Sequence, residues 1–244
     1  MTLRRLVIIL DAVVTVLVVA LFVFLIVDRG IGGQYYKNAQ KAFLRAEKAA
    51  ESWDGSDPEK IYKLSNLYRK VFEKYPDSRW ADDAIYRLAS KIDPMEEEAM
   101  ILYRKLISSY PDSEYVVDAI YTIGMGYYDR GMYEAAIAEF GKIMTDYQTH
   151  ELAEKASFNI AMSRYGLQKW DQATVEFQDF ETRYPKSNLV PTARTHRGII
   201  ELNKKDYEDS IKIFEGVLKE FPGSESADSA QFNLATAYFE QGKY

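Results

Sequence analysis

The sequence predicts an all-α protein: a single N-terminal transmembrane helix followed by an α-solenoid. Three observations predict it. Leu6–Val27 is an almost unbroken apolar run of 22 residues. An aromatic stop recurs five times, as Tyr75-Pro76, Tyr110-Pro111, Tyr147-Gln148, Tyr184-Pro185 and Phe221-Pro222, at spacings of 35, 37, 37 and 37 residues. Further columns keep register with that stop. Ala84, Ala119, Ala156, Ala193 and Ala230 stand nine residues after it, and Tyr68, Tyr103, Phe140, Phe177 and Phe214 stand seven before it. Eleven before it the residue is small, as Ala99, Ala136, Ala173 and Ser210, with Leu64 the exception. Self-similarity at a period of roughly 20–50 residues marks stacked supersecondary units.

The first segment, residues 1–33, holds a short tail, the apolar run and a Gly-rich break, Asp28-Arg29-Gly30-Ile31-Gly32-Gly33. At ~1.5 Å per residue the run spans ~33 Å, enough for a bilayer core. A cleaved signal peptide is the alternative, but the run is long and ends without a small-x-small pattern. Tyr35 and Tyr36 suit the membrane–water interface. Arg4 and Arg5 favour an N-terminus inside the cell, whereas Arg29, Lys37, Lys41 and Arg45 on the other flank oppose it. Asp11 is the one carboxylate of the run, and such a group in a membrane helix has a partner or a role. It can reach back toward Arg4 or Arg5, or contact another membrane subunit.

Residues 34–76 read as a divergent first helix pair that caps the solenoid. Tyr36, Ala39, Phe43, Ala46, Ala50 and Trp53 lie at helical spacing, Asp54-Gly55-Ser56-Asp57-Pro58 is a turn, and 59–74 follows as a second helix. Residues 77–223 hold four pairs, at about 78–109, 113–146, 150–183 and 187–220. In the second, one helix covers about 114–129, Gly131 breaks it, and the next covers about 133–146. Proline then removes an N–H and stops the helix. Ser78, Ser113, Ser187 and Ser224 follow as expected N-caps, and His150 takes the same column. Residues 224–244 match the first helix of an incomplete further repeat. By register a partner helix is expected to begin near Tyr244, so the chain is expected to continue, or else another subunit covers Phe232, Leu234, Ala235 and Tyr238.

The unit Gly131-Met132-Tyr133-Glu134-Ala135-Ala136-Ile137-Ala138-Glu139-Phe140, followed by an aromatic-proline stop, resembles the tetratricopeptide (TPR) repeat. Gly124, Ala161, Gly198 and Ala235 match the small residue of its first helix. The resemblance covers about residues 57–244 and implies a TPR-type right-handed α-solenoid. The 37-residue period is longer than the usual unit. It looks like bacterial envelope TPR proteins, the outer-membrane assembly TPR lipoprotein and the Tol-Pal-associated TPR coordinator, with a transmembrane anchor in place of a lipid-modified cysteine. On that resemblance the expected location is the bacterial inner (cytoplasmic) membrane, single-pass, with the solenoid periplasmic.

The charge balance, 31 basic against 37 acidic residues for a net −6, argues against nucleic acid. With no cysteine and two histidines on different repeats, thiolate metal sites and cysteine nucleophiles are excluded. No phosphate-cradling loop or nucleophile–base pattern is present. The expectation is a protein that is not an enzyme, without cofactor, metal or small-molecule substrate. Its resemblance implies binding through the concave face, which TPR first helices line. By register that stripe holds Tyr86, Tyr121, Phe158 and Phe232 in one column, with Thr195 between the last two. Met125 and Met162 follow four residues on, and Tyr128 and Tyr165 three beyond those. Aromatic and thioether side chains suit adaptable protein interfaces; the alternative is that these rings pack between helices. The lysines of the TPR carboxylate clamp are missing.

The function expected is therefore a membrane-anchored scaffold that binds other proteins of a membrane or envelope complex. It would use the concave stripe and, within the membrane, Asp11. The alternative is an energy-coupling subunit. Asp11 followed by apolar residues looks like the anchor helix of proton-driven stator subunits, where such an aspartate carries protons.

Overall fold

The computed structural model describes residues 32–53, 58–94 and 96–242, and these fold into eleven helices with no strand among them. The apolar run Leu6–Val27 and its Asp11 lie outside the described residues. Among the described residues no helix is long and apolar enough to cross a membrane. The chain divides into two compact units between Lys91 and Ile92.

The first unit holds α1 (32–50), α2 (Pro58–Lys74) and α3 (Ala81–Ala89). The small residues Ala39 and Ala46 of α1 are fully buried. Beside them Phe43 tilts against Tyr68 of α2 at 6.5 Å, and Tyr35 meets Tyr75 edge-on at 5.2 Å. The Tyr68 hydroxyl donates to the Glu47 carboxylate, and the Tyr35 hydroxyl accepts from the Asp77 N–H. Leu64, Tyr68, Val71 and Phe72 carry the buried face of α2, and Ala84, Ile85 and Leu88 that of α3.

The second unit runs from α4 (Glu97–Ser109) through α5 (Val116–Asp129), α6 (Tyr133–Asp146), α7 (Leu152–Gly166), α8 (Trp170–Arg183), α9 (Val190–Asn203) and α10 (Tyr207–Glu220) to α11 (Glu225–Glu240). Each helix packs on the next. The repeat columns are the core. Ala119, Ala156, Ala193 and Ala230 are fully buried, as are Ala136, Ala173, Phe140, Phe177 and Phe214. A ring needs room beside it, and Gly124 supplies it: a Cβ there would lie 2.6 Å from the Phe140 ring. The column ends unevenly, since Ala235 is exposed on α11.

The turn that closes α5, α7, α9 and α11 repeats too. Gly131, Gln168, Lys205 and Gly242 all adopt the left-handed conformation, at φ of 72°, 55°, 64° and 75°. The next N–H reaches back five residues, as in Met132 to Tyr127, Lys169 to Arg164 and Asp206 to Glu201. This is the Schellman closure of a helix, which satisfies otherwise orphaned carbonyls. Only Gly131 and Gly242 take that conformation without Cβ strain.

Of the serines expected as N-caps, Ser224 stands at the N-cap of α11, though without a side-chain cap bond, and the others act differently. Helices α3, α5 and α9 begin after Trp80, Tyr115 and Leu189, with no side-chain cap. The Ser187 hydroxyl accepts instead from Leu189 N–H at 3.0 Å, and Ser113 from Tyr115 N–H at 3.4 Å. Short hydroxyl side chains hold the backbone two residues on, so they shape the turn before the helix. His150 does the same through Nδ1, which accepts from Leu152 N–H at 3.2 Å.

Candidate functional site

The stripe expected on the first helices divides between the units. Tyr86 lies on α3 in the first, half-buried. Tyr121, Met125 and Tyr128 lie on α5, Phe158, Met162 and Tyr165 on α7, and Phe232 on α11, all in the second. Within the second unit the structure joins these residues through polar partners. The Asn159 side-chain amide donates to the Tyr121 hydroxyl at 3.0 Å and approaches Met125 Sδ at 3.3 Å. A hydroxyl both accepts and donates, so Tyr121 keeps a proton to give.

The rings also pack inward. Tyr121 meets Phe140 at 5.5 Å, Tyr128 meets Tyr133 at 5.4 Å, and Phe158 meets Phe180 at 5.5 Å and Phe177 at 6.0 Å. Phe158, Met162 and Tyr165 border the core shared by α7, α8 and α9. They are half-buried in the chain as it stands. Phe232 is the exception, 73% exposed, with Phe239 two turns further along the same face of α11 at 62%.

His196 enters the same surface, a residue to which sequence reasoning gave no role. Its ring stacks on Phe177 at 5.7 Å and meets Tyr165 edge-on at 5.0 Å. Nδ1 is buried without a hydrogen-bond partner. Burial holds the imidazole below its usual pKa, so it is neutral at pH 7. Burial likewise pushes the hydroxyls of Tyr121, Tyr128 and Tyr165 up. The surface is therefore built mainly of rings, thioethers and an amide, with the Asp129 carboxylate near Tyr121 and Tyr128. The signal for Asn159 and His196 was available, since Thr122, Asn159, His196 and Asn233 form a 37-residue column next to the aromatic one.

A second polar feature lies where α8, α9 and α10 meet, in a cleft of about 410 Å³ bordered by Thr174, Gln178, Arg194, Arg197 and Lys212. Arg194 Nε donates to Glu181 at 3.1 Å and its Nη1 to Glu220 at 2.7 Å, while Arg197 donates to the other Glu181 oxygen at 2.9 Å. The equivalent positions one and two repeats earlier hold Ser157 and Ile160, and Ile120 and Ile123, all buried. Here paired charge replaces an apolar contact. Both guanidinium groups are paired with carboxylates, although Arg197 Nε is buried without a hydrogen-bond partner, and the network ties three helices together. Among the described residues no group of histidine, aspartate and glutamate could hold a metal ion.

Comparison with known proteins agrees with this geometry. The tetratricopeptide repeat model TPR_6 matches residues 83–113, 155–187 and 193–224. No curated protein matches the sequence. Among solved structures, a tetratricopeptide repeat protein from Parabacteroides merdae ATCC 43184 is similar, with 19% identity over 83% of this chain and 75% of that one and a TM-score of 0.61. YrrB, a TPR protein with an unusual peptide-binding site, covers 81% of this chain and 97% of its own at 14% identity and a TM-score of 0.56. MamA from Desulfovibrio magneticus RS-1, from its residue 41 on, aligns over 77% of this chain and 97% of its own at 11% identity and a TM-score of 0.56. At such identities the likeness is one of fold. Residues 83–113, 155–187 and 193–224 thus match tetratricopeptide repeats, within an all-helical, solenoid-like fold of the described residues.

Proposed function

We propose that this chain is a non-catalytic, membrane-anchored scaffold whose first-helix stripe seats a segment of another protein. The repeat fold is one suited to protein–protein interaction, and the observation that carries the reading is the Tyr121–Asn159–Met125 contact. It presents a hydroxyl, a thioether and aromatic edges on one surface, beside Phe158, Met162 and Tyr165. Such a surface favours an apolar segment with a few hydrogen-bonding groups over a strongly charged one. YrrB, with its peptide-binding site, is a precedent for peptide recognition on a similar fold.

The same reading sets Leu6–Val27 across a bacterial inner membrane with the repeats periplasmic. Its supports are the length of the apolar run, Arg4 and Arg5 before it, and the resemblance of the long repeat to envelope proteins. The basic flank after the run is the observation against that orientation. Protease added to right-side-out spheroplasts decides it, since a protected repeat region places it inside.

Mild-detergent purification of the full chain, with mass spectrometry of what accompanies it, tests the scaffold role. Alanine at Tyr121, Phe158, Met162 and Tyr165 together should remove a partner, because anchors of this type cost ~1 kcal/mol or more each where they bind. Retention of every partner by a folded variant would reduce the stripe to core packing. The energy-coupling alternative rests on Asp11 alone. With Asp11→Asn, a scaffold still assembles and works, whereas a proton carrier assembles and fails.

A further inference from the structure

We propose that α1 is an interfacial helix that lays its outer face on anionic phospholipid headgroups. The proposal rests on the membrane-anchored reading above and adds a second, electrostatic contact to it. Helical residues 32–50 carry four cations, Lys37, Lys41, Arg45 and Lys48, and one carboxylate, Glu47. At about 100° per residue the four cations fall within one quarter of the helix circumference. All four are exposed. Glu47 is turned away from them, taken up by the Tyr68 hydroxyl of α2. Among the described residues no carboxylate pairs with any of the four. An unneutralised row of this kind on a helix otherwise clamped to its neighbour by Ala39, Phe43 and Ala46 is a surface shaped for a broad negative field.

Two observations favour a lipid surface over an acidic protein. The first is Leu44, 58% exposed, which projects at the edge of the cationic row. It gives the row an apolar side chain to set among headgroups. The second is position along the chain. Lys37 follows the end of the Leu6–Val27 run by ten residues, a reach of no more than ~36 Å even fully extended. A polybasic helix so close to an apolar span is held at the local concentration of the membrane surface, where each cation adds attraction to anionic lipid. The second unit is of opposite sign, since residues 92–244 contain 16 basic and 26 acidic residues, whereas residues 58–91 contain 8 basic and 5 acidic. Attraction is therefore confined to the first unit, and the second unit is repelled by the same surface.

The test uses the full chain reconstituted in vesicles of phosphatidylcholine alone or mixed with phosphatidylglycerol. A membrane-permeant amine reagent and peptide mass spectrometry read the acylation of Lys37, Lys41 and Lys48, with exposed Lys186 and Lys219 as internal references. On anionic vesicles the three α1 lysines should react several-fold more slowly than on phosphatidylcholine, and high salt should restore them. Equal reactivity on both vesicles overturns the proposal. An alkaline carbonate wash separates it from the anchor. If the wash extracts the chain, the anchor reading fails. The extracted chain is then floated with the same vesicles. Flotation with anionic vesicles that is lost in the Lys37→Gln, Lys41→Gln, Arg45→Gln, Lys48→Gln variant upholds the helix–lipid contact, and no flotation overturns it.

Discussion

The ring of Phe214 rests on the bare Cα of Gly198: a Cβ at that glycine would stand 2.5 Å from the ring edge, and Phe214 is fully buried. Gly124 and Phe140 repeat the contact, at 2.6 Å. A glycine in the middle of a helix gives up ~1 kcal/mol against alanine, so its place here is explained by the ring it admits. Gly198→Val should destabilise the chain by ~1–3 kcal/mol through overpacking. Gly141→Ala, on α6 with nothing within 4 Å, should instead raise stability, by up to ~1 kcal/mol. Urea unfolding of the two variants checks both signs.

The left-handed turn gives a second pair of opposed outcomes. Gly131→Ala puts a side chain at φ 72° and should cost ~1–2 kcal/mol. Lys205 already bears that strain at φ 64°, so Lys205→Gly should relieve part of it. A thermal midpoint that falls for Gly131→Ala and holds or rises for Lys205→Gly is the expected result.

Glu181 is the hub of the ionic network, with both oxygens on arginines and a side chain 14% exposed. Removing it by Glu181→Ala leaves Arg197 unpaired and Arg194 with Glu220 alone, at a cost of ~1–3 kcal/mol. Asp171 pairs with Lys204 at 2.8 Å, but its side chain is 94% exposed. Asp171→Ala should therefore cost less than ~1 kcal/mol, and salt should erase the difference. Chemical denaturation at low and high ionic strength measures both.

His196 sets a pH dependence. Its folded pKa lies below its ordinary value because burial disfavours the charged ring. The unfolded chain therefore binds a proton that the folded chain does not, and stability is lost as pH falls below about 6.5. Asn occupies the same column at Asn159 and Asn233, which makes His196→Asn the natural comparison. Between about pH 7 and about pH 5 the wild-type midpoint should fall more steeply than that of the variant, by differential scanning calorimetry.

The helices and the core were legible because their signals are local and repeated. Helix α6 was read at Tyr133–Asp146, the bounds it has; the alanine column and the aromatic column seven residues before the stop are buried, while the stop aromatics are half-buried and Ala235 is exposed. The turn was legible at Gly131 but not at Gln168 or Lys205, where neighbouring hydrogen bonds force a conformation that the residue type does not advertise. The serines misled, since the same hydroxyl can cap a helix or shape the preceding turn. In the candidate site the aromatic stripe was legible by register, whereas its closure by Asn159 across to α5, and the His196 ring on Phe177, depend on side-chain directions between repeats. The Arg194–Glu181–Arg197 network was hidden for the same reason, because one helix supplies the cations and another the carboxylate.

The stripe as a protein-binding surface is tested most directly by site-specific photo-crosslinking in the native membrane. A benzophenone amino acid is placed at position 162, in the stripe on α7, or at position 175, where Val175 is 55% exposed on α8. The account predicts a discrete adduct with another protein from position 162 and none from position 175. Adducts from position 175 alone, or equal adducts from both, would contradict it.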